Sequence, residues 1–177
     1  MTLPSDLEVR VPTPHDEPAI AAMIAACDDS YRAWAPPGWE PPAQGSELDR
    51  WNGRITDGSN WARIAGEPGG RVVGLVCFTQ ALTWVPEDPS AGEPIPGRAH
   101  VAAVFTHPER WREGIAASLL EIAEQQMRSE GYRELQLWTP SDAPARHFYE
   151  ARGWWLDGRE QWSAELGLEL VGYLKRL

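Results

Sequence analysis

The chain is almost without lysine: Lys175 is the only one in 177 residues. A Walker-type phosphate loop needs a lysine after its glycines, so that class of nucleotide hydrolase is excluded. No complete G-x-G-x-x-G, G-x-S-x-G or H-E-x-x-H occurs either, which removes the dinucleotide fingerprint, the nucleophile elbow and the zincin metal site. The four histidines are scattered and form no ligand cluster, so no metal is expected. Cys27 and Cys77 lie far apart without a C-x-x-C and are expected as buried thiols, one in a helix and one in a strand. No apolar run nears the roughly 18 residues that span a bilayer. The opening MTLPSDLEVR has neither a basic n-region nor an apolar h-region, so a cytoplasmic location is expected. Basic residues are outnumbered 16 to 26, for a net charge of −10. That balance disfavours nucleic acid or an anionic membrane as partner and suits a cationic substrate.

What the chain does contain is organised by residues 99–131, AHVAAVFTHPERWREGIAASLLEIAEQQMRSEG. An apolar, β-branched run leads through His107 and Pro108 into a polar turn and then a helical pattern. Ile115, Leu119, Leu120, Ile122, Ala123 and Met127 recur at three- and four-residue steps, the period of one buried helical face, and Gly131 supplies a stop. In the turn, Gly114 and Ala116 are small enough to let the backbone approach a ligand closely. A helix's first turn carries unpaired N–H groups and the positive end of the dipole, so residues 112–117 form a candidate phosphate site. Arg110 and Arg112 add local positive charge in an acidic chain.

A second segment follows the strand-like residues 134–138: DAPARHFYEARGW, from Asp142 to Trp154. Together the two segments resemble the GNAT superfamily of acyl-CoA-dependent N-acetyltransferases. Members carry a strand ending near Pro, then Arg/Gln-x-x-Gly-x-Gly/Ala, matched here by Trp111-Arg-Glu-Gly114-Ile-Ala116, and later Asn-x-x-Ala-x-x-Phe-Tyr-x-x-x-Gly-Phe, matched by Asp142 through Trp154. Trp111 stands where Arg or Gln is usual, Arg112 where Gly is frequent, and Asp142 in place of Asn.

The resemblance implies an α/β (α+β) fold, with a mixed, mostly antiparallel sheet of about seven strands flanked by about four helices. A chain of 177 residues suits one domain. In order, residues 7–11 read as a strand, and Thr13 to Glu17 as a helix start whose buried face is Ile20, Met23, Ile24 and Cys27, with His15 solvated. Residues 46–57 read as a second helix. Residues 61–65 and 71–81 read as a hairpin around Gly69-Gly70, and residues 84–97 as a Pro-rich excursion before the central strand. Asp142 is expected to cap a short helix ended by Gly153, and residues 154–156 and 168–174 to close the sheet.

By the same resemblance the cosubstrate is acetyl-CoA. The main chain at Val104, Phe105 and Thr106 would bond its pantetheine arm as an added strand would. Arg112, Glu113, Gly114, Ile115, Ala116 and Ala117 would surround the pyrophosphate, assisted by Arg110 and Ser118. Tyr149 matches the family tyrosine near the thioester sulfur, where a phenol with an ordinary pKa near 10 can donate a proton at pH 7. His100 opens the central strand where histone-type members carry a basic Glu, and is a candidate base; His107 and His147 are weaker ones, and a water chain is the other route. Glu40, Glu87 and Glu93 could approach from loops. Between the first two helices the aromatic, Pro-rich stretch with Tyr31, Trp34 and Trp39 is a candidate wall for an amine-bearing acceptor, by stacking or cation–π attraction, or else is pinned to the core. Bulky loops favour a small amine over a protein N-terminus or lysine, which needs an open groove. A non-catalytic acyl-CoA sensor is the reading from another class, and Tyr149 argues against it. A homodimer is compatible with the resemblance.

Overall fold

The computed structural model describes residues 3–43, 55–58, 60–83, 85 and 91–177. Seven strands and three α-helices follow one another as β1 (Glu8–Arg10), α1 (Glu17–Ser30), β2 (Trp61–Gly66), β3 (Val72–Leu82), β4 (Pro94–Thr106), α2 (Ile115–Ser129), β5 (Glu134–Pro140), α3 (Ala145–Glu150), β6 (Trp155–Ser163) and β7 (Leu168–Arg176). They form one sheet in the order β1-β2-β3-β4-β5-β7-β6. All neighbours are antiparallel except β4 and β5, which run parallel because α2 carries the chain back between them. This is the mixed, mostly antiparallel architecture expected. The second helix expected over residues 46–57 falls largely outside the described residues; of its tail, Ile55 is buried beneath α1.

Side-chain alternation along β3 divides the core in two. Leu75 and Cys77 join Ile20, Met23 and Ile24 of α1 on one face, while Val76 and Phe78 join Ile115, Leu119 and Leu120 of α2 on the other. Residues 72–78 are buried throughout, as a strand covered on both faces requires. Of the expected face of α2, Ile115, Leu119, Leu120, Ala123 and Met127 are all at most 1% exposed, while Ile122 is at the edge of that face and only half-buried. Cys27 and Cys77 are buried free thiols, and burial pushes Cys27 up to about 12. His15 is exposed.

Several boundaries differ from the sequence expectation. The strand before the central turn starts at Pro94 inside the supposed excursion, because Thr83 and Glu93 bond each other's ends (2.8 Å) and hold Pro94 opposite Leu82. Asp142 does not cap α3. A turn closed by Ala143 N–H to Pro140 O (3.1 Å) occupies that position, and the helix starts after Pro144 with no side-chain cap. β6 runs to Ser163 rather than stopping at Leu156; as an edge strand it carries charge in mid-run, with Asp157 and Arg159 bonded to each other over Gly172. At the N-terminal end, Asp16 is held by both guanidinium nitrogens of Arg10 (2.8 and 2.6 Å) and by Thr13, which fixes the entry to α1.

Gly74 sets the distance between α2 and the sheet. A Cβ there would lie 2.7 Å from Ile115 Cγ2 and 2.8 Å from Leu119 Cδ1, both fully buried. We expect Gly74→Ala to lower stability by about 1–3 kcal/mol through overpacking; urea denaturation checks this, and an unchanged midpoint would mean that α2 does not rest on β3 this closely.

Candidate active site

The parallel pairing of β4 with β5 is brief. It joins Arg98 to Glu134, Ala99 to Leu135 and His100 to Gln136, and then stops. On the other edge of β4, Cys77 pairs with Ala103 and Phe78 with Val101, so Ala102 is an extra residue with no partner in that ladder. Such a bulge bends its strand and increases its twist. β5 meanwhile stays paired with β7 as far as Pro140 and Leu170. The two strands therefore part just past His100, and a cavity of about 840 Å³ opens between them, lined by His100, Val104, Phe105, Gln136, Tyr149 and Arg159 among others.

At the far end of β4 the chain turns through Trp111-Arg-Glu-Gly114 into α2. Arg112 (φ 68°) and Gly114 (φ 83°) are both left-handed, and Arg112 is the one non-glycine residue so placed among the described residues. A backbone held there at some energetic cost is a feature of ligand-cradling turns. Gly114 is the N-cap, contributes no side-chain acceptor, and no acid occupies the first turn of α2. The N–H of Ser118 donates to Gly114 O (3.0 Å), so the uncapped donors are those of Ile115, Ala116 and Ala117. Ile115 and Ser118 keep their side chains buried. Arg112 is exposed, with no ion pair among the described residues, and Glu113 is turned toward Arg110 (2.8 Å).

Arg110 is engaged by acids from three segments. It binds Glu67 (2.5 Å), Glu113 (2.8 Å) and Asp6 (3.0 Å), while Arg71 binds Glu109, so crossed ion pairs clamp this turn onto the β2–β3 turn. Its charge is thus matched by three acids. Trp111, 52% exposed, donates from Nε1 to Thr106 O (2.8 Å), and Cys27 Sγ reaches the same oxygen (3.3 Å). That carbonyl is thus engaged, whereas Val104 and Phe105 line the cavity.

Tyr149 also lines the cavity, 8% exposed and wedged edge-on between Phe148 (5.2 Å) and Trp154 (5.8 Å). Its hydroxyl makes no hydrogen bond among the described residues, and burial pushes its pKa well above the usual phenol value. His100 is open to the cavity on one side, but its Nδ1 is sealed and lacks a hydrogen-bond partner, as does Oε1 of the adjoining Gln136. Burial, reinforced by the charge of Arg159, pushes the imidazole down to about 4. His107 caps the turn after β4 and His147 is exposed; neither lines the cavity. Glu40 is paired with Arg32 (2.6 Å), Glu93 is exposed at the β3–β4 connection, and Glu87 lies outside the described residues.

The aromatic stretch divides. Tyr31 lines the cavity, with Trp34 (4.7 Å) and Trp39 (6.1 Å) packed against its ring on the side away from it, in a smaller adjoining pocket. Trp39 Nε1 donates to Leu166 O (2.7 Å), which anchors the loop. Sequence reasoning missed Asp28, a cavity-lining carboxylate only 2% exposed. Its signal was available: position 28 continues the buried step Ile20, Ile24, and a carboxylate on a buried stripe calls for an explanation. Arg159 was missed because the sheet-closing strand was read too short; a bulge between Leu156 and Glu160 carries it to the cavity wall, over Trp138 (4.6 Å).

The family model described as "Acetyltransferase (GNAT) family" matches residues 24–154. The chain belongs to that family. It is accordingly an acyltransferase. Among solved structures, a GCN5-related N-acetyltransferase from Rhodopseudomonas palustris is 17% identical, with a TM-score of 0.71 over 100% of this chain and 99% of that one. PaiA N-acetyltransferase from Thermoplasma acidophilum, in complex with coenzyme A, is 13% identical, with a TM-score of 0.65 over 97% and 99%. Ribosomal-protein-alanine N-acetyltransferase from Brucella melitensis is 17% identical, with a TM-score of 0.67 over 96% and 99%. At such identities the likeness is one of fold. No curated protein matches the chain significantly.

The enclosure of His100 has a measurable consequence. Its folded pKa, about 4, lies below the ordinary 6.5, so the neutral ring's contribution to stability is complete above pH 6.5 and is lost as the pH falls toward 4. An NMR titration of the ring is expected to inflect near pH 4; an inflection above pH 6 would mean that the ring is solvated or paired with a carboxylate.

Proposed function

We propose that the protein transfers acetyl from acetyl-CoA to the primary amine of a small molecule, by direct attack in a ternary complex, with Tyr149 as general acid. The observation that carries this reading is the position of Tyr149, its hydroxyl unbonded among the described residues, on the wall of the cavity between the parted strands. Acetyl-CoA, when bound, supplies an activated carbonyl and a thiolate leaving group. The residues suit it: the uncapped N–H groups of Ile115, Ala116 and Ala117 and the charge of Arg112 can take phosphates, and Val104 and Phe105 present a strand edge that has left its neighbour.

Tyr149 stays protonated because burial disfavours its anion, so it can deliver a proton as a thiolate departs. His100 is neutral at pH 7. A base whose conjugate acid has a pKa near 4 holds a proton weakly, so we assign amine deprotonation to water in the cavity, with the imidazole accepting a hydrogen bond. The cavity lining includes the carboxylates of Asp28 and Glu165 and the ring of Tyr31, which favour a cation; Arg159, the cavity's one cation among the described residues, is already paired with Asp157 (2.5 Å).

The test is a screen of amines with acetyl-CoA, following free thiol release, on wild type and Tyr149→Phe. The variant keeps the ring packing, and we expect turnover to fall about tenfold or more with little change in coenzyme A affinity. Equal turnover would remove Tyr149 from the mechanism, and the absence of any acetylated amine would overturn the substrate reading.

A further inference from the structure

Beside the catalytic cavity lies a second pocket, of about 320 Å³, that the reaction as described does not use. Trp34, Trp39 and Trp162 line it, together with the carboxylates of Asp142 and Glu169. Among the described residues, no lysine, arginine or histidine is in its lining and neither carboxylate is in an ion pair. The cation whose charge Asp142 does influence, Arg146, is bonded elsewhere, to Ser141 O (2.6 Å) and Tyr173 Oη (3.0 Å). The pocket is built rather than incidental. Trp39 is tied to the β6–β7 turn through Leu166 O, that turn is closed by Gly167 N–H to Ser163 O (2.7 Å), and Trp34 is packed on Tyr31. Trp162 is left 60% exposed, a large indole with no ring partner among the described residues.

Indole faces attract cations, and most strongly so where acids lie close by and no basic group competes. The pocket also adjoins the catalytic cavity. Pro140 lines both, and the rings of Tyr31 and Trp34, tilted against each other at 4.7 Å, belong one to each. We infer that this tryptophan pocket is a second cation subsite, which holds a distal alkylammonium group of the acceptor while another amine of the same molecule faces Tyr149. The acceptor is then a small molecule with at least two amino groups on a flexible chain. This deepens the acetyl-transfer reading and, in its link to the acceptor, rests on it.

Two measurements test it. Tetramethylammonium has no N–H and cannot be acetylated; titrated against sodium chloride at equal ionic strength, it is expected to shift indole N–H resonances saturably. Trp162→Leu and Asp142→Asn, both at exposed positions that leave the fold intact, should each weaken that binding by about three- to tenfold. In acetylation assays the same variants should raise KM for an α,ω-diamine by about the same factor, with kcat unchanged and KM for a monoamine of equal length unchanged. No saturable response to tetramethylammonium, or wild-type affinity in both variants, overturns the subsite even if monoamines are acetylated. Diamine KM values that do not move, or a preference confined to basic peptides, overturn its link to a small acceptor. If tetramethylammonium binds as expected but no amine is acetylated, the subsite stands and the transfer reading is what fails.

Discussion

The site depends on one extra residue. Ala102 lies outside the β3–β4 ladder, and the bend it introduces ends the β4–β5 pairing at His100 and Gln136. In a closed sheet the main-chain groups of β4 beyond that point would be spent on β5. Parted, the strands leave a cavity with an edge that can pair with something other than protein. What sits in the cavity follows from that parting. Tyr149 enters from α3 because β5 continues alongside β7, and Arg159 enters because β6 has its own bulge.

The acidic balance of the chain is managed locally. Around the turn before α2, acids on three separate segments, Asp6, Glu67 and Glu113, converge on Arg110 and fix its position. Such half-exposed pairs contribute modestly one by one, but as a network they hold the turn's shape. Trp111 adds a hydrogen bond to the end of β4, and the small N-cap Gly114 leaves the first turn of α2 bare. The result is a patch of backbone donors, with Arg112 beside it, in a protein of net charge −10.

Much of this was legible in the sequence where a strict period or a special residue marks it. The buried face of α2, the hairpin around Gly69-Gly70 and the two buried thiols follow from spacing or composition, whereas Tyr149 stood out only through the family resemblance. Bulges were not legible: Ala102 has the same small side chain as Ala103 beside it, and nothing in the letters says which of the two lacks a partner. Charged residues were the hardest to place. The ion pairs of Arg110 could not be read because two of its acidic partners are remote in sequence, and Asp142 read as a helix cap although the turn through it displaces the helix start. Tryptophans read as one wall prove to be two, since only the folded loop shows that Tyr31 stands between Trp34 and the catalytic cavity.

The central claim is that the freed edge of β4 and the bare first turn of α2 together grip acetyl-CoA. Amide hydrogen exchange of the full chain with and without acetyl-CoA tests it most directly. Slowed exchange at residues 104–106 and 112–117, with little change in β1 to β3, is the predicted result. Protection elsewhere, or none at those two segments at saturating acetyl-CoA, would contradict it.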